Sequence, residues 1–145
     1  MDQSTSTPDA KCPECGAQQV DGMSCWDQLG ALLAWEYKDA ELSAEHFLTV
    51  ACYNLQHPAR FEDDALVFLR SGLIERLDHG ITPEELRRRA SSIYEGNKRV
   101  LKRKAVAQPV MRHWSMTIND VYTPEEPEGA ARRVRAWAAS IRNEM

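Results

Sequence analysis

Apolar residues recur along this chain at helical spacing, in blocks separated by polar turn residues. The first block predicts a helix from about Cys25 to Lys38, with Ser24 as its cap and Asp27 at the reciprocal position. Trp26, Leu29, Leu33 and Tyr37 share a face of that helix and are expected to meet the core. A short connection at 39–42 leads to Ser43, read as the cap of a second helix, with Glu45 in its first turn, where the helix dipole favours negative charge. Phe47, Leu48, Val50, Ala51, Cys52 and Leu55 make the second helix apolar around much of its circumference, the pattern of a central helix. It stops at Gln56-His57-Pro58, because a residue before proline is pushed out of helical geometry.

A third helix is predicted from Asp63 to His79, on Leu66, Val67, Leu69, Leu73, Ile74 and Leu77, with Gly80 as its stop. Thr82-Pro83-Glu84-Glu85 combines a cap, a proline at the first position and a capping-box glutamate. The fourth helix that follows carries Leu86, Ala90, Ile93 and Tyr94, and is read as continuing past Gly96 to about Lys104. Met116 to Tyr122 reads as a short helical turn capped by Thr117 with Asp120, and the prolines of 123–127 mark a loop. The last helix, from about Glu128 to Arg142, carries Val134, Trp137, Ala138 and Ile141 as one apolar stripe. No segment alternates with the period of a strand. The pattern predicts an all-α bundle of about five helices. Residues 12–145 are expected to form a single domain behind a disordered polar tail, residues 1–11.

Composition narrows the class. The chain has 145 residues, 43% hydrophobic and 28% charged, which suits a globular protein. No apolar run reaches the roughly 20 residues that cross a bilayer, so no membrane partner is expected. The start, MDQSTSTPDAK, lacks a basic stretch followed by an apolar one, and a cytoplasmic setting is the expectation. In a reducing compartment the four cysteines are ligands or core residues rather than disulfides. Residues 1–80 carry 5 Lys/Arg against 14 Asp/Glu, and residues 81–145 carry 13 against 8.

The chemistry concentrates at Cys12-Pro13-Glu14-Cys15-Gly16. A Cys-x-x-Cys turn ending in glycine is half of a tetrahedral zinc site. Cys25 offers a third thiolate. His46 and His57 both lie on the second predicted helix, eleven residues apart, or roughly 16 Å, so they cannot share one ion. A short connection makes the first two helices antiparallel, which brings His57 beside Cys25 and leaves His46 at the other end, near Glu36. The expected Zn2+ ligands are therefore Cys12, Cys15, Cys25 and His57, with the N-terminal turn clamped to the helix hairpin. A thioredoxin-like dithiol would need a βαβ context that this pattern lacks. Cys52, in an apolar run, reads as a core residue.

Two other features carry alternative functions. The same hairpin sets Glu36 beside His46, a pair that either orients two helices or serves as an acid/base couple or part of a metal-dependent enzyme. Tyr53 lies two turns from His46. The run from Arg87 to Lys104 holds eight basic residues against Glu95 alone, and reads as a solvated helix face or a nucleic-acid-binding surface. No nucleophile motif and no glycine-rich phosphate loop is present.

The stretch Cys12-Pro13-Glu14-Cys15-Gly16, then Ser24-Cys25-Trp26, then His46-Phe47-Leu48-Thr49-Val50 through Tyr53 to Gln56-His57-Pro58, resembles an uncharacterised bacterial family, a domain of unknown function. Met116-Thr117-Ile118-Asn119-Asp120-Val121 and Trp137-Ala138 are similar too, so the resemblance runs from Cys12 onward. The family pattern has an acidic residue directly after Leu-Thr-Val, where this chain has Ala51. It often has a longer Gly/Pro-containing stretch where Ala105 to His113 here is compact and basic. The resemblance implies the helical architecture and the metal site, and no established activity. The expected role is a non-catalytic binding or scaffold protein with a structural zinc site and a protein partner.

Overall fold

The computed structural model describes residues 11–94 and 111–145, with side chains through Arg89 in the fifth helix. Residues 1–10 of the expected tail, the continuation past Gly96, and Lys98 to Lys104 of the basic run lie outside the described residues. The architecture is all-α, and no strand occurs among the described residues. The described residues form seven α-helices in order: α1 (Cys25–Trp35), α2 (Ala40–Ala44), α3 (His46–Leu55), α4 (Asp63–His79), α5 (Pro83–Tyr94), α6 (Ile118–Val121) and α7 (Ala130–Glu144). None is long and apolar enough to cross a membrane.

Helix α3 is central, as its apolar circumference predicts. It packs on α2, α4, α5 and α7, and α7 also closes on α2, α4 and α6. Leu48, Ala51 and Cys52 from α3 meet Val134, Trp137, Ala138 and Ile141 from α7, all essentially inaccessible. Trp137 buries the largest side chain here, and its Nε1–H donates to Gln56 Oε1 at 3.3 Å. Gln56 Nε2 then donates to the Met116 carbonyl at 2.8 Å. A buried indole and a buried amide thus satisfy each other and hold the 116 segment onto the core.

Three sequence readings are corrected. Trp26 and Tyr37 are exposed, 60% and 93%, whereas Gln28, Leu29 and Leu32 are buried. The inward position of Cys25 sets the phase of α1, and positions three, four and seven residues on follow it inside. The turn at 39–45 is a helix of its own. The Asp39 carboxylate caps it by accepting from Leu42 N–H at 3.0 Å, so Asp39, not Ser43, starts the element. Glu45 closes α2 and opens α3, and is buried. Its carboxylate accepts from Arg76 Nε at 3.0 Å and Nη2 at 3.1 Å, and from Arg135 Nη1 at 3.1 Å. The Arg76 fork and one N–H of Arg135, whose Nη2 donates to Glu41 at 3.0 Å, join the α2–α3 junction to α4 and α7. On α4, Ala65, Leu69, Gly72 and Leu73 face inward, while Val67 is 62% exposed.

Several other helix ends behave as read. Ser24 and Asp27 form a capping box, Thr82 Oγ1 accepts from Glu85 N–H at 3.1 Å, and Asp120 accepts from Thr117 N–H at 2.9 Å. Gly80 ends α4 in the left-handed region at φ 64°.

Gly72 marks a close approach of α4 to Phe47 of α3. A Cβ built there would lie 2.4 Å from Phe47 Cζ, and Phe47 meets Phe68 edge-on with ring centroids 6.0 Å apart. Gly72→Ala improves helix propensity by about 1 kcal/mol, yet overpacking costs about 1–3 kcal/mol. The expected outcome is a lower urea midpoint for Gly72→Ala, recovered in the Gly72→Ala/Phe47→Leu double variant. A raised midpoint in the single variant would mean that Phe47 swings aside without cost.

Candidate metal centre

The centre starts with a tight turn. Cys12 N–H donates to the Ala17 carbonyl at 2.9 Å, and Gly16 N–H donates to the Cys12 carbonyl at 3.0 Å. Gly16 sits at φ 80°, a region that side chains disfavour. The turn aims backbone donors at sulfur. Cys12 Sγ accepts from Glu14 N–H at 3.4 Å and Cys15 N–H at 3.5 Å, and Cys15 Sγ accepts from Ala17 N–H at 3.3 Å. Such donors favour thiolates over thiols.

Two helix ends complete the cluster. Cys25 is the first residue of α1, at the positive end of its dipole. His57 follows the end of α3, and its Nδ1–H donates to the Tyr53 carbonyl at 2.6 Å. That bond leaves the Nε2 lone pair for the sulfurs, 3.6 Å from Cys12 Sγ and 3.5 Å from Cys25 Sγ. The Tyr53 ring stacks on His57 with centroids 4.1 Å apart, and its hydroxyl lies 3.3 Å from Cys25 Sγ. The structure brings Cys12, Cys15, Cys25 and His57 together with all four donor atoms within 4.8 Å of one another, three of the residues buried. All four cysteines are free thiols, so no disulfide competes for the sulfurs.

Electrostatics at this density is frustrated without a cation. Hydrogen bonds from Cys15 and Cys25 hold the Cys12 thiol far below the ordinary range, against the effect of burial. The contacts with Cys12 and then Cys25, followed by burial, push Cys15 far above it. Burial and Cys25 push Tyr53 up as well. Burial works against a charged His57, but contacts to Cys12, Cys25 and the Tyr53 carbonyl prevail and raise it to about 10. Three thiolates and a neutral imidazole coexist here only around a positive ion, and this soft donor set of three sulfurs and one nitrogen is the chemistry of a metal site.

An outer layer locks the turn to the helices, and sequence reasoning missed it. Glu14 is buried, and its carboxylate accepts from Ala59 N–H at 2.9 Å, two residues past His57. Its carbonyl accepts from Arg112 N–H at 3.3 Å. Gln28, inside α1, donates its amide to the carbonyls of Gln18 at 2.9 Å and Met23 at 3.1 Å. Tyr53 belongs to this layer rather than to the surroundings of His46; its spacing of four from His57 was the available signal. Glu14 and Gln28 carry no such signal, since a polar residue in a turn or on a helix reads as solvent-facing.

The other candidates are dispersed. Cys52 is fully buried outside the cluster, and burial pushes its thiol up. His46 Nδ1 does meet Glu36, with 3.0 Å to each carboxylate oxygen, at the far end of the α1–α3 pair. The pair borders an open depression of about 480 Å³ beside Leu33, Tyr37 and Ser43. Arg87, Arg88 and Arg89 each pair within their own helix, with Glu84 or Glu85.

The chain belongs to a family of unknown function, DUF5946, whose pattern matches residues 10–145. No curated protein and no solved structure matches it.

After chelation, His57 is expected to stay protonated at neutral pH. Its pKa is raised above the free value of 6.5, so the stability it lends is fully present below about 6.5 and is lost as pH rises through about 10. Histidine NMR on chelated and metal-loaded protein checks this. A midpoint below 6.5 in the chelated sample would show that burial outweighs the cysteine contacts.

Proposed function

We propose that this member of the family is a zinc-stapled, non-catalytic binding or scaffold protein, with Zn2+ held by Cys12, Cys15, Cys25 and His57. The observation that carries the reading is the closure of the donor set. Four protein ligands leave zinc no position for water or substrate, which is the signature of a structural rather than a catalytic site. The sulfur–nitrogen separations of 3.5 and 3.6 Å fit a tetrahedral ion of the size of zinc. A tetrahedron built on zinc–sulfur and zinc–nitrogen bonds has edges of about 3.6 Å. The Tyr53 carbonyl on His57 Nδ1 supplies the outer contact that metal-bound imidazoles use.

Zinc contributes stability through linkage. It ties the N-terminal turn to two helix ends, adding to the hydrogen bonds of Glu14, Gln28 and Tyr53 that already link them. A cytoplasmic setting, a bacterial host and a single folded unit over residues 12–145 are parts of the same proposal. A nucleic-acid role for the basic run is the weaker reading, because Arg87, Arg88 and Arg89 already face glutamates. An acid/base role for Glu36 and His46 is the second reading. It is favoured by the 56% exposure of the imidazole beside an open depression and by a carboxylate that fixes its Nδ1.

Native mass spectrometry is expected to find one zinc per chain. Cys15→Ala should lose the metal and lower the thermal midpoint, and Cys52→Ala should keep the metal. A folded chain that carries no metal at micromolar zinc would overturn the reading. For the second reading, His46→Gln should leave metal content and midpoint unchanged.

A further inference from the structure

A groove of about 320 Å³ runs beside the metal centre, between the end of α3, the outer face of α4 and the 112–114 segment. Its floor and walls are apolar: Leu55, Pro58, Leu66, Val67 and Trp114. Val67 is 62% exposed there, on a helix whose opposite face is core. Two arginines, Arg70 and Arg112, flank the groove together with Met145, and no acidic side chain lines it among the described residues. Arg70 has no ion partner among the described residues, and the Arg112 guanidinium lies 4.1 Å from the centre of the Trp114 ring. On a chain with a net charge of −4, an apolar groove flanked by two arginines is a local inversion of character.

The walls of this groove are fastened by the metal-site turn. Glu14 holds Ala59, next to Pro58, through its carboxylate, and holds Arg112 through its carbonyl. One buried residue between two ligand cysteines therefore spaces both sides of the groove.

We propose that the groove binds a short acidic peptide segment of a partner protein, one bulky apolar side chain seated between Leu66, Val67 and Trp114 and carboxylates meeting Arg70 and Arg112. This rests on the binding-protein reading above and names its surface and partner. Charge complementarity selects the occupant. The groove's two arginines favour an acidic occupant over a basic one. Aliphatic lining, with Trp114 already covered by Arg112, suits an apolar side chain better than stacked bases. An open groove suits an extended segment, with apolar anchors giving affinity and charges giving register.

The test is selection of displayed random peptides of about 12 residues on the zinc-loaded full chain. Fluorescein-labelled copies of the winners then go into anisotropy titrations. The expected winners place Asp or Glu on both sides of one large apolar residue and bind more weakly as salt rises. Arg70→Glu and Val67→Asp should each weaken binding by about tenfold or more, with zinc content and thermal midpoint unchanged, since both side chains are exposed. Chelation should weaken binding too, by releasing Glu14. Winners without acidic bias, or with equal affinity for both variants, overturn the proposal, as does an empty selection. So does a dimer in sedimentation that Val67→Asp dissolves, because a second copy would then be the occupant. If peptides bind through Arg70 on a chain that holds no zinc, the groove stands and the zinc reading falls. If zinc is bound and no acidic peptide is selected, the reverse holds.

Discussion

The convergence of Cys12, Cys15, Cys25 and His57 is the constraint on which the rest of the structure depends. It brings together a turn, a helix start and a helix end that span 45 residues of chain. Each of the three is shaped for it. The turn supplies N–H groups to sulfur, the capping box of Ser24 and Asp27 fixes where Cys25 begins α1, and Pro58 stops α3 where His57 can turn back to the Tyr53 carbonyl. The cluster then dictates the packing of α1. With Cys25 inside, Gln28, Leu29 and Leu32 follow, and Trp26 and Tyr37 are turned to solvent.

The same geometry sends the histidines at the two ends of α3 into different lives. His57 is enclosed among thiols and joined to an outer layer of Glu14, Tyr53 and Gln28. His46, at the opposite end of α3, keeps a single carboxylate neighbour and an exposed ring. Four protein donors would complete a tetrahedral site without water or substrate, as in the non-catalytic reading proposed above. Glu14 is the physical link from that site to its surroundings, since it sits within the ligand turn and reaches two segments outside it.

The four clustered residues and the antiparallel run of α1 and α3 were legible in the sequence. A Cys-x-x-Cys-Gly turn needs partners, and helical rise forbids His46 and His57 from sharing one ion. The stripe of α7 was legible because Val134, Trp137, Ala138 and Ile141 keep one period in a strongly amphipathic helix. The phase of α1 was not, because Trp26 and Tyr37 look like core residues by type while the cluster, a tertiary feature, decides which face turns inward. The break between α2 and α3 was hidden for a similar reason. Glu45 has an ordinary helix-start composition around it, and only the two arginines brought by α4 and α7 explain why a carboxylate is buried there. The outer layer of the metal site escaped because its contacts are mostly between side chains and backbone, which no residue pattern records.

That Glu45 junction has a consequence for the order of assembly. Its two partners lie 31 and 90 residues away along the chain. Contacts of such separation carry a large loop-closure entropy and do not guide early folding. The buried carboxylate has its full set of partners only when α4 and α7 have both packed on it, and an apolar helix docked there without its arginine would bury the charge short of a partner. The junction acts as a checkpoint on completion: it penalises every arrangement in which one of the two late helices is missing or misplaced, and so sharpens the all-or-none character of the bundle.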